Sequence, residues 1–404
     1  MVALPLGLGL VAAATRRAGH DIRFVDLVAD EDAQGTVRRS IADFQPDVIG
    51  ISVRNIDNQD RAAPRFLLDQ ARSIVRACRD CTTAPVVLGG AGFSIFPAET
   101  LAFLGADYGI AGDGEEALPA LLEQLARGSD PTGIPGLCIS GRDTTCRAVA
   151  ADLDSFDLWD DTLSGCADPD DPTLWIPVQS RRGCPNDCSY CSTFRIQGRT
   201  IRTRAPALVV EHIRRLAGMG YRRFYFVDNS FNIPESHALA LCRLLKELCR
   251  GIVWRCILYP HLVREELVAA MANAGCIEVA VGFESGCPRI LKEMNKRYTP
   301  DDVRRTCELL RAHGIRRMGF LLLGGPGETR ESVEESLAFA ESLGLDGLRV
   351  TAGIRIYPGT ALARRALAEG MIDSEDDLLR PHFYIAPGLE QWLHERVKDL
   401  LPQP

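Results

Sequence analysis

The sequence predicts an α/β protein built from two parallel-sheet domains, and three observations carry that expectation. Short apolar runs alternate with amphipathic helical segments along almost the whole chain, the pattern of βαβ units with right-handed crossovers. A stretch rich in Asp and Pro, residues 151–173, interrupts the alternation and reads as a linker. The chain has 404 residues, 46% hydrophobic and 25% charged, enough for each half to bury its own core.

In the first half, residues 1–150, apolar periodicity marks a helix from Gly7 to Arg17, closed by Gly19. A short strand, Ile22 to Asp26, precedes a helix over Val37 to Phe44 and a strand over Asp47 to Val53. The polar loop Arg54 to Asp60 leads to a helix ending near Cys81. A strand over Pro85 to Leu88 then runs into Gly89-Gly90-Ala91-Gly92. A helix at Ala98 to Leu104, a strand at Asp107 to Ile110 and a helix opened by Gly112-Asp113-Gly114-Glu115 complete the domain. Ligands of open parallel sheets lie outside the carboxyl ends of the strands. Ser52, Arg54, Asn55, Gly89, Gly90, Gly112 and Gly114 all fall on that rim. Glycines there let backbone approach a ligand and offer N–H groups to phosphates, although αβ turns use glycine in any case.

The second half, residues 174–373, holds six β/α repeats. Its strands are read at Leu174 to Ser180, Arg223 to Asp228, Val253 to Ile257, Ile277 to Phe283, Ile315 to Leu323 and Gly347 to Ile356. Its helices are read at Pro206 to Met219, Glu235 to Arg250, Arg264 to Ala274, Pro300 to Ala312 and Glu328 to Ser342. A full barrel closes with eight units, so six predict an open, partial (β/α)6 TIM-type barrel. Its strand ends carry Asp228-Asn229, Glu284-Ser285, Gly324-Gly325-Pro326-Gly327-Glu328 and Tyr357-Pro358-Gly359-Thr360. Each is an ordinary turn or cap by itself; together they line the rim where α/β barrels place their chemistry. Residues 374–404 are acidic and then aromatic, with Phe383-Tyr384 and Trp392, and read as a docking segment.

The first strand of that half delivers Cys184-Pro185-Asn186-Asp187-Cys188-Ser189-Tyr190-Cys191. Thiols at i, i+4 and i+7 can wrap one face of a cubic iron–sulfur cluster. Such clusters usually take four cysteines, so three leave one iron open to another ligand. Three-thiolate zinc is the competing chemistry, but zinc takes a fourth ligand, and no His or Cys follows closely after Cys191.

Charge and cysteine usage narrow the classes further. A net charge of -8 and a basic content of 46 against 54 acidic residues argue against a nucleic-acid scaffold. Met1 to Leu10 is apolar but lacks a basic start, and Gly7, Gly9, Arg16 and Arg17 make it a poor signal or span; a cytoplasmic protein is expected. Its 14 cysteines then read as thiols or ligands, not disulfides. Cys78 and Cys81, at the end of a helical pattern, read as structural.

C-x3-C-x2-C with an aromatic before the last cysteine resembles the cluster loop of the radical S-adenosylmethionine (SAM) enzymes. The resemblance implies a [4Fe-4S] cluster on Cys184, Cys188 and Cys191, as metal ligands and catalytic residues, with SAM chelated at the open iron. It places Tyr190 beside adenine, Asp228 and Asn229 near the SAM amino group, and Glu284 and Ser285 at the ribose and methionine. Gly324 and Gly325 lie on the strand whose backbone meets adenine.

The first domain is similar to the Rossmann-like cobalamin (B12)-binding domain that precedes the radical SAM domain in one large subclass. That likeness implies that Ser52 and Gly89-Gly90 hold the nucleotide tail. No Asp-x-His-x-x-Gly is present, so cobalt is expected without a histidine below it, with Arg54 and Asn55 at its lower face. The family usually begins with a strand for which Met1 to Leu4 leave almost no room; a missing edge strand or a misplaced start is implied. The activity implied is methylation of an unactivated carbon of a small molecule, after reductive cleavage of SAM at the cluster, through methylcobalamin. Radical rearrangement, cyclisation or methylthio transfer is the alternative. A flavodoxin- or ferredoxin-type electron donor is implied as partner.

Overall fold

A computed structural model describes residues 4–28, 30–142, 147–157 and 167–401. The first domain runs α1 (Leu6–Arg17), α2 (Ala33–Phe44), β1 (Ile49–Ser52), α3 (Leu68–Cys81), β2 (Val86–Gly89), α4 (Ala91–Ile95), α5 (Pro97–Leu104), β3 (Tyr108–Ile110), α6 (Ala117–Ala126) and β4 (Leu137–Ile139). The sheet order is β1-β2-β3-β4. β1, β2 and β3 are parallel, and β4 closes the far edge antiparallel to β3.

Two expectations change here. Ile22 to Asp26 form no ladder among the described residues. Phe24 and Leu27 still pack, partly buried, against the main core, but no strand pairs with this stretch. Conversely Leu137, Cys138 and Ile139, too short a run to stand out, become a strand because Ile110, Gly109 and Tyr108 offer them a free edge.

The second domain begins with β5 (Ile176–Val178), β6 (Arg181–Arg182), α7 (Thr193–Ile196), β7 (Arg202–Thr203), α8 (Pro206–Gly218), β8 (Arg223–Phe226), α9 (Glu235–Leu248), β9 (Val253–Leu258) and α10 (Glu265–Asn273). It continues with β10 (Cys276–Glu284), α11 (Pro288–Glu293), α12 (Pro300–Ala312), β11 (Arg316–Leu323), α13 (Arg330–Ser342), β12 (Gly347–Ala352), β13 (Ile354–Arg355), α14 (Ala361–Ala368), β14 (Phe383–Tyr384) and α15 (Glu390–Val397). Six strands lie side by side as β5-β8-β9-β10-β11-β12, all parallel and in chain order. That is the open barrel the repeats predict.

Local chemistry fixes these boundaries. Thr299 and Thr329 each close a capping box at the start of α12 and α13, satisfying donors that a helix end leaves free. Along β10, Val279, Val281 and Phe283 are fully buried, while Glu278, Ala280, Gly282 and Glu284 alternate with them and stay partly accessible. Phe320 on β11 is 37% exposed. A parallel sheet is usually covered on both faces, so one wall of this barrel is open to water and to a ligand.

The strand expected to run to Ile356 breaks at Gly353, whose φ is +89°. Beyond it β13 turns out of the barrel sheet and pairs antiparallel with β14. The C-terminal segment is thus a covering element: Ile385 and Leu393 pack over Gly324, and Leu393 is fully buried. The linker is anchored by Leu153 and Phe156, which pack with Ala14 and Ala150; Trp159 lies outside the described residues. One continuous core joins the domains, from Leu4 to Val397.

Candidate functional site

The cysteine loop is the long connection of a two-stranded ribbon, with β6 entering it and β7 leaving it. Gly183 turns the chain at φ +93°, and a Cβ there would lie 2.1 Å from the Thr200 carbonyl oxygen, so only glycine allows this approach. The loop's backbone is tied down at both ends. Cys184 N–H donates to Gly198 O at 3.0 Å and Cys191 N–H to Cys188 O at 3.2 Å. Gly183 N–H donates to the Gln197 side-chain oxygen at 3.2 Å, which also accepts from Asn229 at 2.7 Å. The thiols of Cys184, Cys188 and Cys191 are free and partly accessible. Burial pushes Cys184 and Cys188 up, and the Lys296 ammonium opposes it at both. A cleft lined by Pro185, Asn186, Asn232, Tyr259, His261 and Arg297 opens beside the loop.

A segment without any motif of its own straps this loop from the other side. Met294 O accepts from Ser189 N–H at 3.0 Å. Asn295 donates to Asp187 O at 3.0 Å, and Arg297 pairs with the Asp187 carboxylate at 3.3 Å. Lys296 donates to the Tyr190 hydroxyl at 2.9 Å and to Glu284 at 3.2 Å. Its side chain is 5% exposed. Burial alone would lower the ammonium, but Glu284 raises it well above the usual lysine range. By composition Asn295-Lys296-Arg297 reads as a solvated turn after a helix, and no signal in the sequence separates it from one.

The rim residues divide into two sets. Glu284 reaches Tyr190 of the cysteine loop through Lys296, and it is held at φ +59°, a conformation rare outside glycine. Asn229 reaches the loop through Gln197. Asp228, by contrast, is 1% exposed and accepts from Ser180 N–H and Arg181 N–H at 2.8 and 3.1 Å, and from the Ser180 hydroxyl at 2.5 Å. Burial raises its carboxyl, and Arg181 opposes that; its oxygens anchor the approach to the loop. Ser285, expected at a ligand, is 0% exposed and bonds the Ser336 hydroxyl at 2.8 Å. Its hydroxyl also accepts from Cys287 N–H at 3.1 Å, so it is spent on joining β10 to α11 and α13. The N–H groups of Gly324 and Gly325 both point at the Glu328 carboxylate, and Gly324 O accepts from Ala386 N–H at 2.9 Å.

In the first domain Ser52, Arg54 and Asn55 are exposed at the end of β1. Gly90, at φ +98°, lies so close that a Cβ would stand 2.6 Å from Val53 O and 2.9 Å from the Ser52 hydroxyl. A Cβ at Gly89 would meet nothing nearer than Ile110 O at 4.0 Å. Gly112 and Gly114 differ from expectation, because protein fills the space beside them. A Cβ at Gly112 would meet Ala148 O at 2.2 Å, and one at Gly114 would meet Val11 at 3.0 Å. These two glycines make room for neighbouring chain.

The Gly90 turn and the cysteine loop meet across the domain interface. α4, which follows Gly90, packs on α7, which follows Cys191, and Arg195 donates to Ile95 O at 3.0 Å. Buried ion pairs lock the two halves. Arg182, next to the loop, pairs with Asp113 at 2.9 Å and also with Glu115; Arg202 pairs with Asp113 too. Burial would lower the Arg182 guanidinium, but Glu115 and Asp113 raise it. Arg355 pairs with Asp57 at 2.8 Å, both nearly inaccessible. Such cross-domain partners are invisible to local sequence reading.

Among the described residues, no three His, Cys, Asp or Glu side chains gather into a metal-holding group. A cubane asks for a wider set, one iron per thiolate, and three accessible thiols on one short loop beside a buried cation fit that demand. The exposed end of β1 at Ser52, Arg54 and Asn55 and the open space beside Gly89 fit a ligand at this rim, while Gly90, like Gly112, makes room for neighbouring chain.

Comparison with known proteins agrees with this geometry. The radical SAM superfamily matches residues 178–340, and the B12 binding domain matches residues 2–122. The chain is 27% identical over 376 residues to an uncharacterised methyltransferase of Pyrococcus horikoshii, covering 91% of this chain and 79% of that protein. It is 26% identical over 464 residues to the cytidylyl-2-hydroxyethylphosphonate methyltransferase of Streptomyces wedmorensis, covering 98% and 84%. The fold matches the radical S-adenosylmethionine methyltransferase TsrM of Kitasatospora setae, solved with cobalamin and a [4Fe-4S] cluster bound, at a TM-score of 0.86 and 23% identity over 100% of this chain and 87% of that one. Another structure of TsrM holds tryptophan and a SAM analogue. No helix among the described residues is long and apolar enough to cross a membrane.

Proposed function

Because this chain belongs to the radical SAM enzymes that carry a B12-binding domain, we propose that it methylates an unactivated carbon of a small molecule. When bound, the cluster with SAM supplies a hydrogen-abstracting radical, and cobalamin supplies the methyl group. The observation that carries the reading is the meeting of the Gly90 turn with the cysteine loop through α4 and α7. In this reading that contact brings the two cofactor surfaces together.

In this reading Cys184, Cys188 and Cys191 would hold three irons, and the rim of exposed Ser52 with half-buried Gly89 and Gly90 would receive the cobalamin tail. Arg54 and Asn55, exposed beside that rim, would help to hold the cobalamin. Tyr190, Glu284 and Asn229 face SAM, while Asp228, Ser285 and the Glu328-bound glycines hold the rim's shape. The buried pairs Arg182–Asp113 and Arg355–Asp57 keep the domains closed and exclude water from reactive species. The substrate enters along the accessible face of β10 and β11, and a flavodoxin- or ferredoxin-type carrier supplies electrons.

The test needs no known substrate. Protein loaded with cluster and cobalamin is incubated with SAM under anaerobic reduction, and the SAM-derived products are separated. Formation of both S-adenosylhomocysteine and 5′-deoxyadenosine supports methyl transfer. 5′-Deoxyadenosine alone, with cobalamin bound, overturns it in favour of a radical rearrangement.

A further inference from the structure

The strap from Met294 to Tyr298 does more than hold the cysteine loop in place, since it brings a charge there. Lys296 is 5% exposed and bonds Tyr190, one residue before Cys191, at 2.9 Å. The ammonium also lies over the rings of Tyr190 and Tyr298, at 5.1 and 5.8 Å. Among the described residues its ion-pair partner is Glu284 at 3.2 Å, 15% exposed. A charge inside protein acts on its neighbours far more strongly than one in water. Cluster potentials respond to net charge, hydrogen bonding and solvent access.

We propose that Lys296 is the positioning residue that sets the electron affinity of the cluster on Cys184, Cys188 and Cys191, with Glu284 as its moderator. The inference rests on the cluster assignment made above. One electron from a low-potential one-electron carrier takes the cluster core from 2+ to 1+. With three thiolates the site's charge goes from −1 to −2. A fixed positive charge held on Tyr190, the residue before Cys191, favours that step, and Glu284 weakens the help. Lys296 stays protonated throughout, so no proton moves. Glu284 sits at φ +59°, and its carboxylate pairs with Lys296 at 3.2 Å.

The experiment is a mediated redox titration of anaerobically purified protein, followed by electron paramagnetic resonance, with iron and sulfide quantified in each sample. Lys296→Met should lower the cluster midpoint potential, and Lys296→Arg should keep it near wild type. Glu284→Gln should raise it, the opposite sign. A purely structural strap would move both variants the same way, or neither. Unshifted midpoints in cluster-loaded Lys296→Met and Glu284→Gln overturn the proposal. If Lys296→Met fails to hold iron, the sign of the Glu284→Gln shift decides alone. Wild-type protein without iron and sulfide would instead sink the cluster assignment itself, a separate outcome.

Discussion

Replacing Arg182 by Met should loosen the joint between the domains more than any surface change. Arg182 is 6% exposed and lies two residues before Cys184. Its guanidinium serves Asp113 at 2.9 Å and both oxygens of Glu115. Asp113 keeps Arg202 and the Ala150 N–H when Arg182 is lost. Glu115, whose side chain is 2% exposed, keeps no ion-pair partner among the described residues. Breaking a buried pair by removing one partner costs about 3–5 kcal/mol, because the remaining charge is stranded. Met matches the arginine stem in bulk, so cavity effects add little. Equilibrium urea unfolding, followed by far-ultraviolet circular dichroism, reads the loss. Adding Glu115→Gln to Arg182→Met should recover about 1–3 kcal/mol, since a neutral amide is cheaper to strand than a carboxylate. The positive coupling between the two changes is the signature of a real pair. An Arg182→Met protein within about 1 kcal/mol of wild type, or a double variant no better than the single, would refute the reasoning.

Three further outcomes follow from named contacts. Cys184→Ala, Cys188→Ala and Cys191→Ala should each abolish 5′-deoxyadenosine formation; normal turnover in any one would remove that thiol from the ligand set. Gly90→Ala forces a Cβ to within 2.6 Å of Val53 O at φ +98°, a strain of about 1–3 kcal/mol. It should strip cobalamin on gel filtration and leave the iron content intact, whereas Gly105→Ala, at φ +69° with no atom within 4 Å, should keep cobalamin. Glu328 is pushed up to about 7 by burial, against the opposing N–H groups of Gly325 and Gly324. The folded form therefore holds the proton more tightly than the unfolded chain, so stability falls as pH rises from about 4.5 through 7. Relative to Glu328→Gln, wild type should lose about 1 kcal/mol in urea unfolding between about pH 6 and 8; a gain would contradict the burial argument.

Local signals make much of this molecule legible in its sequence. The Pro300 to Ala312 helix carries its own start in Thr299-Pro300-Asp301-Asp302, and the barrel strands declare themselves by apolar runs between such helices. The cysteine spacing stands within one loop, so it is visible in eight consecutive letters. What stays hidden depends on partners far away along the chain. Ile22 to Asp26 has the composition of a strand, but a strand exists only where a neighbour pairs with it. Gly112 and Gly114 look like a ligand cradle until Ala148 and Val11 are seen filling it. Ser285 looks available until Ser336 takes its hydroxyl. Lys296, 105 residues after Cys191 by their numbers, becomes part of the site only when the barrel folds β10 and α11 back over the loop.

The most direct test of the account is an absorption spectrum of protein made anaerobically in cobalamin-fed cells, with iron, sulfide and cobalamin quantified on the same sample. The account predicts about four irons, four sulfides and one cobalamin per chain. Zinc in place of iron would contradict the cluster assignment on Cys184, Cys188 and Cys191. A full cluster without cobalamin would contradict the reading of the Ser52 and Gly90 rim, and with it methyl transfer as the reaction.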